Sequence, residues 1–131
     1  MIDTSTMVAA LVVTHEHHRI ARPRLTAELR VPAIVLAETF SQLRRTFSQP
    51  AETAALLLHT WTSDTSRILP TSALVVRSTF ARAVELDLGG GIHDALIAQT
   101  CVAHRTELVT LDRRQHRIAL AMGAQSTYLL S

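Results

Sequence analysis

Hydrophobic residues along the chain fall into short unbroken runs that alternate with longer amphipathic stretches. The short runs, bounded by turn-forming or charged residues, are typical of buried strands. The longer stretches repeat their apolar residues every third or fourth position, which predicts helices. The predicted strands are 1–3 (MID), 30–32 (RVP), 67–71 (RILPT), 107–111 and 126–130 (STYLL). The predicted helices are 5–14, 15–30 with a break near Pro23, 33–47, 50–61, 72–88, 92–105 and 113–122.

The helix predicted over 33–47 shows helical periodicity in its large apolar side chains. Leu36, Phe40, Leu43 and Phe47 recur at helical spacing and form its predicted buried stripe. Glu38 interrupts this otherwise apolar segment and points away from the stripe. Taken alone, Glu38 is more simply interpreted as a solvated side chain than as a functional carboxylate.

The alternation of strands and helices predicts an α/β fold in which helices cover both faces of a parallel sheet. In such sheets, ligands bind beyond the carboxyl ends of the strands, at the point where the strand order reverses. Asp3 ends the first predicted strand and Asp112 follows the fourth. If these two strands are neighbours, both carboxylates enter the same crevice.

Composition limits the class of protein and the chemistry. The 131 residues are 47% hydrophobic and 18% charged, which predicts one globular domain. All 13 basic residues are arginine, so chemistry that needs lysine, such as a P-loop or a Schiff base, is excluded. The single cysteine, Cys101, suits a reducing compartment. We see no signal peptide and no apolar run long enough for a membrane span, and we expect a cytoplasmic protein.

Asp94 is a further candidate because of its position in a predicted helix. It follows a run of three glycines, and Ile97, Ala98 and Cys101 come after it at the spacing of a buried stripe. A carboxylate at that position is favoured by the dipole of the helix N-terminus. Helix capping explains an aspartate there equally well.

A shared cation would explain why several carboxylates converge in one crevice. Without a cation they repel one another, and some of them would be protonated. Mg²⁺ and Mn²⁺ prefer oxygen ligands and keep some of their waters. Such an ion can orient a phosphate and promote its hydrolysis without a covalent nucleophile.

Four segments of this chain resemble one known family, in the same order and over nearly the whole length. They are IDTSTMVAAL, VPAIVLAETFSQLRR, GGGIHDALIAQTCVAHRTELVTLDRR and GAQSTYLL. The chain is similar to PIN-domain ribonucleases, in particular to the VapC-type toxins of bacterial toxin–antitoxin pairs. The resemblance implies a single three-layer α/β/α domain over residues 1–131, with a parallel sheet of strand order 3-2-1-4-5. That order makes the first and fourth strands neighbours.

The resemblance also implies an activity and a set of site residues. The activity is that of an endoribonuclease that depends on Mg²⁺ or Mn²⁺. The acids of the family fall on Asp3, Glu38, Asp94 and Asp112, with Asp3 and Asp94 as the principal metal ligands. Glu38 and Asp112 complete the pocket, partly through water. The positions that correspond to hydroxyls orienting carboxylates or water are Thr4, Ser5 and Thr110.

The family further implies macromolecular partners: an RNA substrate, a cognate antitoxin that covers the site, and a second copy in a homodimer. Two arginines, Arg113 and Arg114, directly follow Asp112. Cations are poorly placed for the dipole at a helix start. Beside a nucleic-acid backbone they would act as positioning contacts, although a solvated basic edge is an equally good interpretation.

Two other functions compete with a nuclease. A catalytically inactive PIN fold that acts as a binding or regulatory module would make metal binding weak and the acids dispensable. An aspartate-nucleophile phosphatase built on DTST would want a second acid at the position of Ser5, and a lysine that this chain lacks. The complete set of four acids favours the nuclease.

Overall fold

A computed structural model describes residues 1–130 of the chain. The helices are Thr4–Leu11 (α1), His18–Ala21 (α2), Ala33–Arg45 (α3), Ala51–Leu57 (α4), His59–Thr62 (α5), Ala73–Glu85 (α6), Ile92–Ala103 (α7) and Arg113–Ala121 (α8). The strands are Val31–Pro32 (β1), Ile68–Leu69 (β2), Leu108–Thr110 (β3) and Ser126–Tyr128 (β4). The predicted alternation of strands and helices is therefore confirmed, with shorter elements than the sequence pattern indicated.

All strand pairing in the described residues is parallel, as an α/β fold requires. β1 pairs with β2, and β3 pairs with β4. Ile2 forms an isolated parallel bridge with Val109 in β3, so the N-terminal residues lie beside β3. Within residues 1–130, no ladder joins Ile2 to β1, and the two sheets have two strands each.

Prolines limit the strands at one edge of the fold. Pro32 ends β1 and is also the residue from which α3 begins. Pro70 directly follows β2. Because proline has no backbone N–H, it cannot extend a ladder of hydrogen bonds. Pro70 therefore ends the strand predicted over 67–71 at Leu69, whereas the strand predicted over 30–32 keeps its end and loses only Arg30.

Two predicted helices are wrong in extent. The segment 15–30 contains only α2 and a 3₁₀ turn over Arg22–Arg24 that includes Pro23, and the rest is turns and irregular chain. Pro23 has no N–H to donate into a longer helix. The helix predicted over 50–61 divides into α4 and α5 at Leu58, whose ψ of 3° leaves the helical range.

The buried face of α3 also differs from the prediction. Its buried residues are Val35, Leu36, Thr39 and Leu43, whereas Phe40 is 36% exposed. The helix is thus rotated so that the stripe passes through Thr39 instead of Phe40. Glu38 consequently lies beside the buried face instead of opposite to it.

The main hydrophobic core holds the N-terminal segment, α7 and β3 together. Ile2, Met7, Ile97 and Leu108 are each at most 2% exposed. α7 packs against α6 and α8, and α1 packs against α3. These contacts bring the starts of α1, α7 and α8 to the same end of β3. None of the helices in residues 1–130 combines the length and the apolar character that a membrane crossing needs.

Candidate active site

Asp3 lies at the junction between the Ile2 bridge and α1. Its backbone N–H donates to Val109 O at 3.4 Å, and its side chain caps α1 by accepting from the N–H of Thr6. An aspartate is among the residues best suited to this capping position. The same residue therefore ends the strand-like segment, starts the helix and is only 3% exposed.

A dense set of donors surrounds the Asp3 carboxylate. Oδ1 accepts from Thr6 N at 3.0 Å and from Thr6 Oγ1 at 2.9 Å. Oδ2 accepts from Thr110 Oγ1 at 2.6 Å, and Ser5 Oγ lies 2.8 Å from both oxygens. Burial raises the pKa of Asp3, and these hydrogen bonds oppose the rise. Ser5 and Thr110 thus both contact the Asp3 carboxylate.

Thr6 is a contact that the sequence reasoning missed. Thr6 lies three residues after Asp3, the N-cap of α1. At this spacing the backbone N–H of the third helical residue can donate to the side chain of the N-cap. The hydroxyl of Thr6 also lies 3.2 Å from Val109 O, so it joins α1 to β3. The capping spacing was the available signal.

Thr110 connects Asp3 with Asp112. The N–H of Asp112 donates to Thr110 Oγ1 at 2.9 Å, and the same hydroxyl donates to Asp3. The Asp112 side chain caps α8 by accepting from the N–H groups of Arg114 and Gln115 at 2.8 and 3.4 Å. Both of these bonds use Oδ1. Among residues 1–130, Oδ2 of Asp112 has no hydrogen-bond partner.

Glu38 is tied to α1 and is not a freely solvated side chain. Thr4 Oγ1 donates to Glu38 Oε1 at 2.7 Å. Thr4 is buried and Glu38 is half-buried. The hydroxyl of Thr4 thus orients a carboxylate, and the hydrogen bond links the first turn of α1 to α3.

Asp94 lies in the first turn of α7, but it does not cap that helix. The cap is Gly91, with a left-handed φ of 72°, and no side chain caps the helix there. The carboxylate of Asp94 has no hydrogen bond or ion pair within residues 1–130. Capping, the alternative explanation of Asp94, is therefore wrong.

The electrostatics of Asp94 connect it to the other three acids. Burial raises the pKa of Asp94, and the negative charges of Asp112, Glu38 and, to a smaller extent, Asp3 raise it further. Among residues 1–130, only the positive charge of Arg114 lowers it. The four carboxylates therefore form one electrostatic group, which we call the acidic cluster.

The chemistry of the acidic cluster fits a hard divalent ion. Within residues 1–130, the atoms that could bind an ion there are carboxylate and hydroxyl oxygens, and Arg114 is the cation whose charge acts on Asp94. As arranged in residues 1–130, no three or more His, Cys, Asp or Glu side chains are close enough together to hold a metal ion. The carboxylate of Asp94 would be available to bind a metal ion. The hydroxyls of Ser5 and Thr110, which donate to Asp3, could rotate to make room for it.

Comparison with known proteins identifies the family. The model of the PIN domain family matches residues 1–120. The chain belongs to the PIN domain family. It is 32% identical over 115 residues to Ribonuclease VapC40 of Mycobacterium tuberculosis, in two strains, and this match covers 86% of the chain and 85% of the relative. The resemblance to VapC-type PIN proteins is thus confirmed.

A solved structure has the same fold. The structure of FitAB bound to the IR36 DNA fragment superposes with a TM-score of 0.69 and 18% sequence identity. The alignment covers 97% of this chain and 92% of the FitAB chain. At this identity the match supports the PIN fold and nothing more specific.

Gln115 is a second residue of this PIN domain that the sequence reasoning missed. It is 1% exposed, and its Nε2 donates to the backbone oxygen of Asp94 at 3.0 Å. It thereby fixes the start of α7 against α8. Gln115 follows Asp112 at the spacing of a capping box, which was the available signal. In the structure, however, the Gln115 side chain does not complete a capping box but links α8 to α7.

The two arginines after Asp112 point in different directions. The Arg113 guanidinium lies over the ring of Tyr128, 5.4 Å from its centroid. Arg114 extends towards Gly90 and Gly91, and its charge acts on Asp94. Only Arg114 thus belongs to the electrostatic surroundings of the acidic cluster.

Other candidate features lie away from the acidic cluster or have a structural role. A cavity of about 550 Å³ is lined by Arg22, Trp61 and Arg67 among others, and by none of the four acids. His93 is exposed. Cys101 is buried, and burial raises the pKa of its thiol to about 11, as expected for a packing residue. We therefore place the candidate site by its side-chain chemistry and not by the size of a cavity.

Proposed function

We propose that this PIN domain is an endoribonuclease that depends on Mg²⁺ or Mn²⁺ and acts as the toxin of a type II toxin–antitoxin pair. The observation that carries the proposal is the acidic cluster, in which the half-buried Asp94 lies near three other carboxylates and, among residues 1–130, only the charge of Arg114 offsets them. Its similarity to Ribonuclease VapC40 supports RNA as the substrate.

In this proposal the four acids have different roles. Asp3 and Asp94 would hold the ion, while Glu38 and Asp112 would complete its surroundings, partly through water. When bound, the ion would supply positive charge that orients a phosphate and favours its attack by water. The protein supplies a fixed arrangement of oxygens, because a metal site is only as precise as the groups that orient its ligands.

The hydroxyls of Thr4, Ser5 and Thr110 would orient the carboxylates. Thr4 donates to Glu38, while Ser5 and Thr110 donate to Asp3. Because Thr110 also accepts from the N–H of Asp112, one side chain sets the relative position of two acids. We propose that this restricts the acidic cluster to one geometry before RNA binds. Arg114 at the acidic cluster, and Arg113 outside it, would add positive charge for the RNA backbone.

We also infer the complete sheet and the extent of the domain. Counting Ile2 as the first strand, the order 3-2-1-4-5 would place it between β1 and β3. The parallel bridge of Ile2 with Val109 and the pairings of β1 with β2 and of β3 with β4 support this order. A single PIN domain would span residues 1–131, in three layers of helices, sheet and helices.

The proposed function implies partners and a location. A cognate antitoxin would cover the acidic cluster and prevent RNA from reaching it. The protein would act as a homodimer in the cytoplasm. The relationship to a VapC ribonuclease supports each of these inferences.

A catalytically inactive binding module is the competing proposal, and one observation favours it. Both oxygens of Asp3 already accept hydrogen bonds, and Asp3 is 3% exposed. A metal ion would have to displace or reorient the hydroxyls of Ser5 or Thr110. The uncompensated charge around Asp94 argues the other way, since a binding module gains nothing from it.

Cleavage of RNA by purified protein separates the two proposals. We expect cleavage of total bacterial RNA in Mg²⁺ or Mn²⁺ but not in EDTA, and loss of cleavage in Asp94→Asn. His93→Gln, a change of the exposed neighbouring residue, is the matched control and should cleave like the parent. Cleavage by Asp94→Asn at the parent rate would exclude the nuclease.

Expression in a bacterium tests the toxin role. We expect growth arrest on induction of the parent and of His93→Gln, and normal growth with Asp94→Asn. Mapping of RNA 5′ ends after induction would then identify the cleaved RNA. Growth arrest by Asp94→Asn would support the binding module.

A further inference from the structure

The guanidinium of Arg114 lies directly against the glycine run that precedes α7. A Cβ atom on Gly90 would lie 3.1 Å from Arg114 Nη2, and one on Gly91 would also lie 3.1 Å from it. These distances are shorter than an ordinary van der Waals contact, so a side chain at either position would require the guanidinium to shift by at least a few tenths of an ångström. We call the surface formed by Gly90 and Gly91 the glycine seat.

Arg114 has its donors available. Within residues 1–130 its side chain makes no ion pair and no hydrogen bond, although it lies close enough to Asp94 for its charge to act on that carboxylate. Its backbone is fixed by the capping bond from its own N–H to Asp112. An unpaired guanidinium that lies beside carboxylates is suited to an anionic ligand.

We infer that Arg114, held on the glycine seat, is the residue that positions the phosphate of the bound nucleic-acid strand at the acidic cluster. The inference rests on the proposed function, and it names the substrate contact of the same site. A phosphodiester approaching four carboxylates meets repulsion, and Arg114 is the cation that would offset it. Its planar fork can contact two non-bridging oxygens of one phosphate at once.

Arg113 does not meet these requirements. Its guanidinium is stacked over Tyr128, away from Asp94. Arg117, one turn further along α8, is exposed and makes no described contact. Arg117→Gln is therefore a control that removes the same charge from the same helix without touching the glycine seat.

The glycine seat supplies a second, independent variant. Gly90→Val should push the Arg114 guanidinium aside, because a Cβ there already meets Nη2. Gly89→Val is its matched control, since a Cβ on Gly89 meets nothing within 4 Å. Gly91 is unsuitable for this test, because its φ of 72° makes any side chain strained.

Binding of a labelled single-stranded RNA 20-mer in EDTA is the first measurement, since it needs no cleavage. We expect Arg114→Gln to weaken binding about tenfold, the cost of losing a charge-assisted hydrogen bond. The slope of log affinity against log salt should fall by about 0.7, one phosphate contact on a single strand. Gly90→Val should weaken binding in the same direction, while Arg117→Gln and Gly89→Val should stay near the parent.

Steady-state cleavage is the second measurement. Arg114→Lys keeps the charge but loses the planar fork, so it should restore affinity for RNA more than it restores the turnover number. Arg114→Gln should lower both. A residue that only balances the charge of Asp94 would instead be fully replaced by lysine.

Binding of Mn²⁺ without RNA separates phosphate positioning from simple charge balance. We expect Arg114→Gln to bind Mn²⁺ as tightly as the parent or more tightly, because it removes a repelling cation. Weaker Mn²⁺ binding in proportion to the loss of RNA binding would overturn the inference.

RNA cleavage and RNA binding, measured together, test the role of Arg114 separately from the proposed nuclease activity. RNA cleavage by the parent, with Arg114→Gln and Arg117→Gln equal to it, would overturn the role of Arg114 and leave the nuclease intact. RNA binding that depends on Arg114 without any cleavage would support the role of Arg114 and contradict the nuclease. Absence of any RNA binding by the parent would overturn both.

Discussion

Asp3 and Asp94 carry the same functional group, but the protein holds them in opposite ways. Four donors from Ser5, Thr6 and Thr110 fix the Asp3 carboxylate, which is 3% exposed. The Asp94 carboxylate has no hydrogen bond in the described residues and lies among negative charges. The Asp3 carboxylate is part of the structure that joins α1 to β3, whereas within residues 1–130 the Asp94 carboxylate makes no hydrogen bond that holds the fold together.

This difference indicates how the acidic cluster is assembled. Asp3 and Asp112 each cap a helix, so folding itself brings them to the end of β3. Asp94 adds charge that the fold does not need and that opposes the folded state. A residue that is costly and structurally unused is a candidate for function, and the predictions below test this contrast.

The largest expected effect is on catalysis. Asp3→Ala and Asp94→Ala should each lower the rate of RNA cleavage at least ~100-fold, because a catalytic ion contributes several kcal/mol to phosphate chemistry. The rate is measured on one RNA substrate at saturating Mn²⁺. If Asp3→Ala were inactive and Asp94→Ala fully active, Asp94 would not be a metal ligand. The interpretation of Asp94 as a functional acid would then be wrong.

The next effect is on the connection between Asp3 and Asp112. Thr110→Val removes the hydroxyl that donates to Asp3 and accepts from the N–H of Asp112. We expect Mn²⁺ affinity to fall about 10- to 100-fold, as for other groups that orient metal ligands. Thr110→Ser keeps the hydroxyl and should retain most of the affinity, which calorimetry can measure. Equal losses in both variants would assign the effect to packing instead of orientation.

A smaller effect is expected on the stability of the protein when Asp3 or Asp94 is replaced. Asp3→Ala should lower the free energy of unfolding by about 2 kcal/mol, because it removes a helix cap and leaves buried donors unpaired. Asp94→Ala should cause no loss. Urea unfolding of both variants in metal-free buffer is the comparison. A larger loss for Asp94→Ala would reverse the assignment of structural and functional acids.

The smallest effect is a dependence of stability on pH. Burial, together with the charges of Asp112 and Glu38, raises the pKa of Asp94 above its usual range. The ionised form of Asp94 therefore lowers the free energy of unfolding. This destabilisation is complete at pH values above the raised pKa of the folded protein, and it is absent at pH values below the pKa of Asp94 in the unfolded chain. In metal-free buffer at neutral pH, we expect Asp94→Asn to melt a few degrees above the parent.

That advantage should shrink as the pH falls and disappear by about pH 4, near the ordinary pKa of aspartate. Thermal melts of Asp94→Asn and the parent at a series of pH values provide the test. A constant advantage at every pH would mean that the substitution acts through packing and not through charge.

The sequence contained much of the fold because periodicity and capping act locally. α6, α7 and α8 begin within one residue of the predicted starts, since Ser72 and Asp112 cap helix starts and the glycine run separates α6 from α7. Residues 15–30 were mispredicted because propensity favoured helix while Pro23 allowed only a 3₁₀ turn. Burial decided the face of α3, where Thr39 is buried and Phe40 exposed, and burial depends on distant partners.

The sequence identified candidate acids but not the contacts that position them. Strand-end and helix-start positions identified Asp3, Asp94 and Asp112 one at a time. The bond from Thr4 to Glu38 spans 34 residues, and the bond from Gln115 to the Asp94 carbonyl spans 21. Such pairs depend on how helices pack, which no local pattern contains. The seating of Arg114 on Gly90 belongs to the same class.

The most direct test of the shared ion is anomalous diffraction from crystals soaked in Mn²⁺. If Asp3 and Asp94 share the ion, we expect a peak about 2.2 Å from carboxylate oxygens of both residues, the distance expected for a hard divalent ion. The peak should be absent from crystals of Asp94→Asn. A Mn²⁺ ion bound elsewhere, or one that contacts only one of these two residues, would contradict it.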